Sequence, residues 1–152
     1  MDDRDIALLK ASPLFSGFSE NHLRILIELA QVQEFAPGEV IVHEGEPGDS
    51  FAVLLAGQVQ IEKMTPEGYP RPLAMLTDQG DFFGEMAVVD IKPRSATARA
   101  HTQTRTVLFS KQALVRLFDA HPEAMTLVAF NIARVLSARL RSIDEDLASL
   151  SG

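Results

Sequence analysis

Asp81-Phe82-Phe83-Gly84-Glu85-Met86-Ala87-Val88-Val89-Asp90-Ile91-Lys92-Pro93-Arg94-Ser95-Ala96-Thr97 interrupts a series of short apolar runs that read as strands. Within it a glycine precedes a stretch, Glu85–Val89, able to form a single helical turn; a loop and Pro-Arg-Ser follow. Gly84 has no Cβ, so a ligand can approach its backbone closely. The first amides of a helical turn have no intrahelical acceptor and favour an anion. Arg94 can add a charge-assisted contact to the same anion, and Ser95 a hydroxyl that both donates and accepts. Glu85 is a poor partner for a phosphate but a good acceptor for a sugar hydroxyl. Carboxylate, free amides and arginine within this short span describe a ribose-phosphate better than a bare anion.

Outward from this stretch, residues 31–109 are punctuated by Gly and Pro. The predicted strands are Gln31–Ala36, Glu39–Glu44, Phe51–Ala56, Gln58–Met64, Leu73–Thr77, Ser95–Ala100 and Thr104–Phe109. Pro37-Gly38, Gly45 to Asp49, Gly57, Pro66 to Pro70 and Asp78 to Asp81 supply the turns. Val40/Val42 and Val59/Ile61 alternate as half-buried strands do. Many short, regularly spaced strands indicate a mainly β fold, a jelly-roll or β-roll barrel.

Helices flank the barrel. Residues 3–10 form a short one, broken at Ser12-Pro13. Ser19 caps a second, whose apolar face is Leu23, Leu26, Ile27 and Ala30, with Phe18 and Leu23 placed as a staple. Ser110 caps a helix over 111–120. Pro122 opens a last one that runs to about Leu150, with Pro at the first helical position. Ala129, Ile132, Leu136, Leu140, Ile143, Leu147 and Leu150 recur along it at spacings of three and four, a seam suited to a helix pair. The expected organisation is one domain over 1–152: N-terminal helices in 1–30, a barrel in 31–109, and C-terminal helices in 110–150.

Phe83-Gly84-Glu85-Met86-Ala87 followed by Pro93-Arg94-Ser95-Ala96-Thr97 resembles the phosphate-binding cassette of the cyclic-nucleotide-binding domain family. Leu14-Phe15, Pro37-Gly38-Glu39-Val40-Ile41, Glu44 to Ser50 and Gly57 extend the resemblance over residues 10–145. The resemblance implies a cAMP or cGMP sensor. Glu85 would accept from the ribose 2′-hydroxyl and Arg94 would pair with the cyclic phosphate. Phe83, Gly84, Met86, Ala87 and Ala96 would complete the cassette, and Ser95 would touch phosphate or base. The C-terminal helix would be a lid, with Arg139 as its contact. Serine at position 95 is compatible with either nucleotide.

The chain has 152 residues, 46% hydrophobic and 23% charged, with no cysteine and a formal net charge of −7. That composition is an ordinary globular one without disulfides. The acidic balance argues against direct DNA binding. No run is long and apolar enough to span a membrane, and the N-terminus lacks a signal peptide's basic and apolar regions. A cytoplasmic location is expected. The chain ends just after the lid helix, so an effector protein or domain would read the signal; the stripe on the last helix would serve either a homodimer or docking on this domain's own barrel.

A metalloenzyme barrel would want closely spaced histidines with a nearby glutamate. His43-Glu44 does not supply that, His101 and His121 are isolated, and His22 falls in a helix's first turn; no metal is expected. No nucleophile-base set or Walker-type loop is present, so no enzyme is expected. The alternative is a degenerate, non-binding domain that acts through protein interaction. Such domains usually lack the arginine or the glutamate, and both are here.

Overall fold

Phe51-Ala52-Val53-Leu54-Leu55 is apolar without alternation, and the reason is spatial. In the computed structural model, which describes residues 1–85 and 92–151, this strand is buried on both faces. Phe51, Val53 and Leu55 join a large cluster under the helices, whereas Ala52 and Leu54 join a smaller one inside the barrel.

The strands are β1 (Gln31–Phe35), β2 (Val40–Val42), β3 (Ser50–Ala56), β4 (Val59–Met64), β5 (Pro70–Leu76), β6 (Phe82–Phe83), β7 (Thr97–Ala100) and β8 (Thr104–Ser110). They form two antiparallel four-stranded sheets, β1-β8-β3-β6 and β2-β7-β4-β5. The β-roll expected from the strand pattern is the fold observed. Several strand boundaries shift by one to three residues, most at β5, and one strand is new. The β4–β5 turn is tighter than expected, because Thr65 and Tyr69 pair across it and β5 starts at Pro70. Pro70 and Pro72 are tolerated because β5 is an edge strand. The two-residue β6 was not expected as a strand; Phe82 and Phe83 pair with Val53 and Ala52.

The helices are α1 (Asp3–Ala11), α2 (Glu20–Leu29), α3 (Lys111–Ala120) and α4 (Pro122–Ser151), with a 3₁₀ turn at Pro13–Phe15. Ser19 and Ser110 cap α2 and α3 as expected, accepting from the amides of His22 and Ala113. His22 completes the α2 cap by accepting the Ser19 amide at Nδ1. Asp5 is buried, and both its oxygens accept from Arg105, at 3.1 and 3.0 Å, which fixes α1 against β8.

The first half of α4 covers the core with Ala124, Val128 and Ile132. Buried Asn131 donates to the carbonyls of Leu14 and Ser16, each at 2.9 Å, tying α4 to the 3₁₀ turn. The heptad stripe therefore has two fates. Ile132 and Leu136 dock on this domain, whereas Leu140, Ile143, Leu147 and Leu150 are exposed. Ala129 is exposed too; the inward position is Val128, because the docking face is set by the barrel rather than by a straight seam.

Candidate functional site

Backbone pairing aligns the Pro-Arg-Ser segment. The Arg94 amide donates to the Glu46 carbonyl and the Gly45 amide donates to the Arg94 carbonyl, both at 2.9 Å. The Glu44 amide donates to Thr97 Oγ1 at 2.9 Å. Residues 94–97 are thus clamped against the turn before β3, and the Arg94 side chain is directed inward. Its Nη2 donates to the Ser50 carbonyl at 2.9 Å and to Ser50 Oγ at 3.1 Å.

The Arg94 side chain is only 8% exposed, and its ion pair to Asp49 is long, at 3.9 Å, with the Asp49 side chain in solvent. Burial holds its pKa below the ordinary arginine value, with Asp49 and Glu46 partly opposing the shift. An arginine keeps its charge in proteins. Among the described residues no carboxylate comes closer to Arg94 than Asp49, and a desolvated cation of this kind is what an incoming anion would neutralise.

Gly84 lies directly against this guanidinium, at φ +77, and a Cβ there would meet Arg94 Nη1 at 2.7 Å. Both the left-handed backbone and the close approach require glycine. Glu85, next in sequence, is buried. Its Oε1 faces Nη1 of Arg139 on α4 at 3.4 Å, and the Arg139 guanidinium sits 5.7 Å from the centre of the Phe82 ring. α4 thus reaches this site through Arg139, held by a carboxylate and an aromatic face.

These groups border a cavity of about 410 Å³, within the size range of small-molecule sites. Val42, Ile61, Ala74, Leu76 and Ala98 give it an apolar wall on the second sheet, opposite Glu85, Arg94 and Arg139. Phe83, Gly84, Glu85, Arg94, Ser95, Ala96 and Arg139, all singled out from the sequence, border this one cavity. Met86, Ala87 and most of the expected turn over Glu85–Val89 lie outside the described residues. Ser95 is exposed at the rim, and its carbonyl accepts from Lys63 Nζ at 2.8 Å.

Sequence reasoning missed Ser50, which seats Arg94, and the apolar wall. Ser50 closes the turn after Gly48-Asp49 and carries no local signal of a partner 44 positions away. The wall residues were visible only as strand apolars, and which of their faces lines a cavity is settled by the pairing of β2, β7, β4 and β5.

The family model for the cyclic nucleotide-binding domain matches residues 32–121. The chain is 30% identical over 143 residues to a CRP-like cAMP-activated global transcriptional regulator of Mycobacterium tuberculosis, covering 94% of this chain and 62% of that protein. It is 34% identical over 109 residues to the cAMP-dependent protein kinase regulatory subunit of Hypocrea atroviridis, covering 72% of this chain and 22% of the subunit. It thus spans less than two thirds of the length of these curated relatives. A solved cyclic nucleotide-binding domain from Methylobacillus flagellatus superposes with a TM-score of 0.80 at 28% identity, over 96% of this chain and 82% of the other. The family model takes in every strand from β2 to β8 and both described halves of the cassette, and the chain belongs to the cyclic nucleotide-binding domain family.

Proposed function

We propose that the cavity binds cAMP or cGMP and that binding is reported through the C-terminal helices. The observation that carries this reading is the buried side chain of Arg94 beside Gly84, whose ion pair among the described residues is the long one to Asp49, in a cavity that also presents Glu85. The cyclic phosphate neutralises Arg94, against the backbone of Gly84. The ribose 2′-hydroxyl donates to Glu85. The purine lies along the wall of Val42, Ile61 and Leu76, with Ser95 and Ala96 at its edge and Arg139 as the lid contact.

Ligand and Arg139 compete for, or share, the Glu85 carboxylate, so occupancy changes what holds α4. A ligand shifts that equilibrium only by its differential affinity for the two lid positions. The output is movement of α3 and α4, read by an effector protein or domain or by a second copy of the chain paired along the exposed end of α4. The domain senses and does not catalyse. It makes no direct contact with DNA, in keeping with its net charge of −7.

The test of the ribose contact compares cAMP with 2′-deoxy-cAMP on wild type and on Glu85→Gln. A hydrogen bond to a charged group is worth about 1.5–3 kcal/mol, so wild type should prefer cAMP by roughly tenfold or more, and the variant should prefer it less. An unchanged preference in the variant removes Glu85 from the site. Binding of neither nucleotide favours the degenerate, interaction-only reading.

A further inference from the structure

Far from the cassette, the fold brings together three side chains that the sequence keeps apart. His22 lies in the first turn of α2, and Glu123, in the first turn of α4, is 101 positions away. His121 is the single residue joining α3 to α4; its amide donates to the Leu117 carbonyl and its carbonyl accepts from the Ala124 amide. His22 Nε2 is 2.9 Å from Glu123 Oε1, and His121 Nδ1 is 3.3 Å from the same oxygen. The two rings meet edge to face with centres 5.0 Å apart. All three ligand atoms lie within 4.8 Å of one another.

We propose that His22, His121 and Glu123 form a binding site for a divalent transition metal, with Zn²⁺ the best match. The chemistry of the donors selects the class: two imidazoles and one carboxylate suit Zn²⁺ rather than the hard cations Mg²⁺ or Ca²⁺. The distances fit as well. Tetrahedral Zn²⁺ with bonds of about 2.0–2.1 Å needs donor atoms roughly 3.3 Å apart. Two of the three spacings are already 2.9 and 3.3 Å, and the third closes by small rotations of the rings. His22 is buried, His121 half-buried and Glu123 exposed, so one side of the site is fixed and the other is open to a solvent ligand.

One local rearrangement accompanies binding. Nδ1 of His22 accepts the Ser19 amide at 3.2 Å, so the proton of the neutral ring is on Nε2, where it donates to Glu123. Metal at Nε2 moves that proton to Nδ1 and releases the Ser19 amide. The other half of the cap, the His22 amide on Ser19 Oγ, is untouched. Phe18, whose ring centre is 5.4 Å from that of His22, keeps the imidazole in place. The metal would pin the start of α2 to the point where the lid helix begins. The site shares no residue with the nucleotide cavity, and the proposal stands whether or not that cavity binds nucleotide.

The experiment is a calorimetric titration of the full chain with Zn²⁺, with Co²⁺ spectra as a reporter of tetrahedral nitrogen and oxygen ligation. One Zn²⁺ per chain is expected, with binding weakened at least tenfold in His121→Asn and in Glu123→Gln, the two more exposed ligands. His43→Asn and His101→Asn should bind as wild type does. Circular dichroism checks folding, and either of the first two variants suffices if the other unfolds. No saturable binding by the full chain, or binding unchanged in a folded His121→Asn or Glu123→Gln variant, overturns the proposal.

Discussion

Replacing Gly84 by alanine separates two effects that the structure places on one residue. At φ +77 an L side chain costs about 1–2 kcal/mol. The new Cβ would also lie 2.7 Å from Arg94 Nη1 and 3.3 Å from the Ser50 carbonyl. The guanidinium is the softer neighbour and should yield, moving off the Ser50 carbonyl and hydroxyl that seat it. Gly68→Ala is the control: its φ is +92, yet nothing lies within 4 Å of the added carbon. Urea denaturation should show both variants destabilised by about 1–2 kcal/mol, with Gly84→Ala losing somewhat more. Calorimetry with cyclic nucleotide should separate them: affinity unchanged in Gly68→Ala and at least tenfold weaker in Gly84→Ala, equivalent to about 1.4 kcal/mol. A Gly84→Ala protein that binds as tightly as wild type would refute the claim that this glycine sets the place of Arg94.

Three further outcomes are expected. Gly57→Ala should be the most damaging of the turn glycine substitutions, because its Cβ would meet the Gln103 carbonyl at 2.4 Å and the Thr104 Cα at 2.8 Å; urea midpoints beside Gly68→Ala check this. Asp5→Asn should cost about 1–3 kcal/mol at pH 7 by weakening two charge-assisted bonds from Arg105. The Arg105 hydrogen bonds hold the Asp5 pKa below its ordinary 3.8, so its contribution is present above that value and lost as pH falls through the lower folded one; stability curves of variant and wild type should converge in that acid range and stay apart above it. Leu140→Glu combined with Leu147→Glu should convert any dimer to monomer in sedimentation equilibrium while leaving the melting temperature nearly unchanged, since both side chains are exposed in the chain.

The fold was legible wherever local chemistry decides it. Ser19 and Ser110 announced their helices, Pro122 a third, and Gly57 and Gly68 their turns, because each satisfies a need of the adjacent backbone. Gly84, Glu85 and Arg94 were legible as a short pattern of residue types, but the groups that place them, Glu46, Ser50 and Arg139, are 44 or more positions away. What was not legible depends on partners far along the chain. Ser50 gives no sign that it will hold Arg94 44 positions on. β6 is two residues long and exists only because β3 offers it an edge. His22 and His121 read as unrelated until α2 and the α3–α4 junction pack together. The stripe on α4 was legible as a stripe, but its division into a docked half and an exposed half is set by where the barrel ends.

In the proposed function the buried cation of Arg94 is neutralised by a cyclic phosphate. Calorimetric titration with cAMP and with cGMP, on wild type and on Arg94→Ala, decides whether it is. Removing one side of a desolvated charge pair costs about 2–5 kcal/mol, so one or both nucleotides should bind wild type saturably and the variant at least tenfold more weakly. No binding of either nucleotide to protein freed of co-purified ligand, or equal binding to a folded Arg94→Ala protein, would contradict the account.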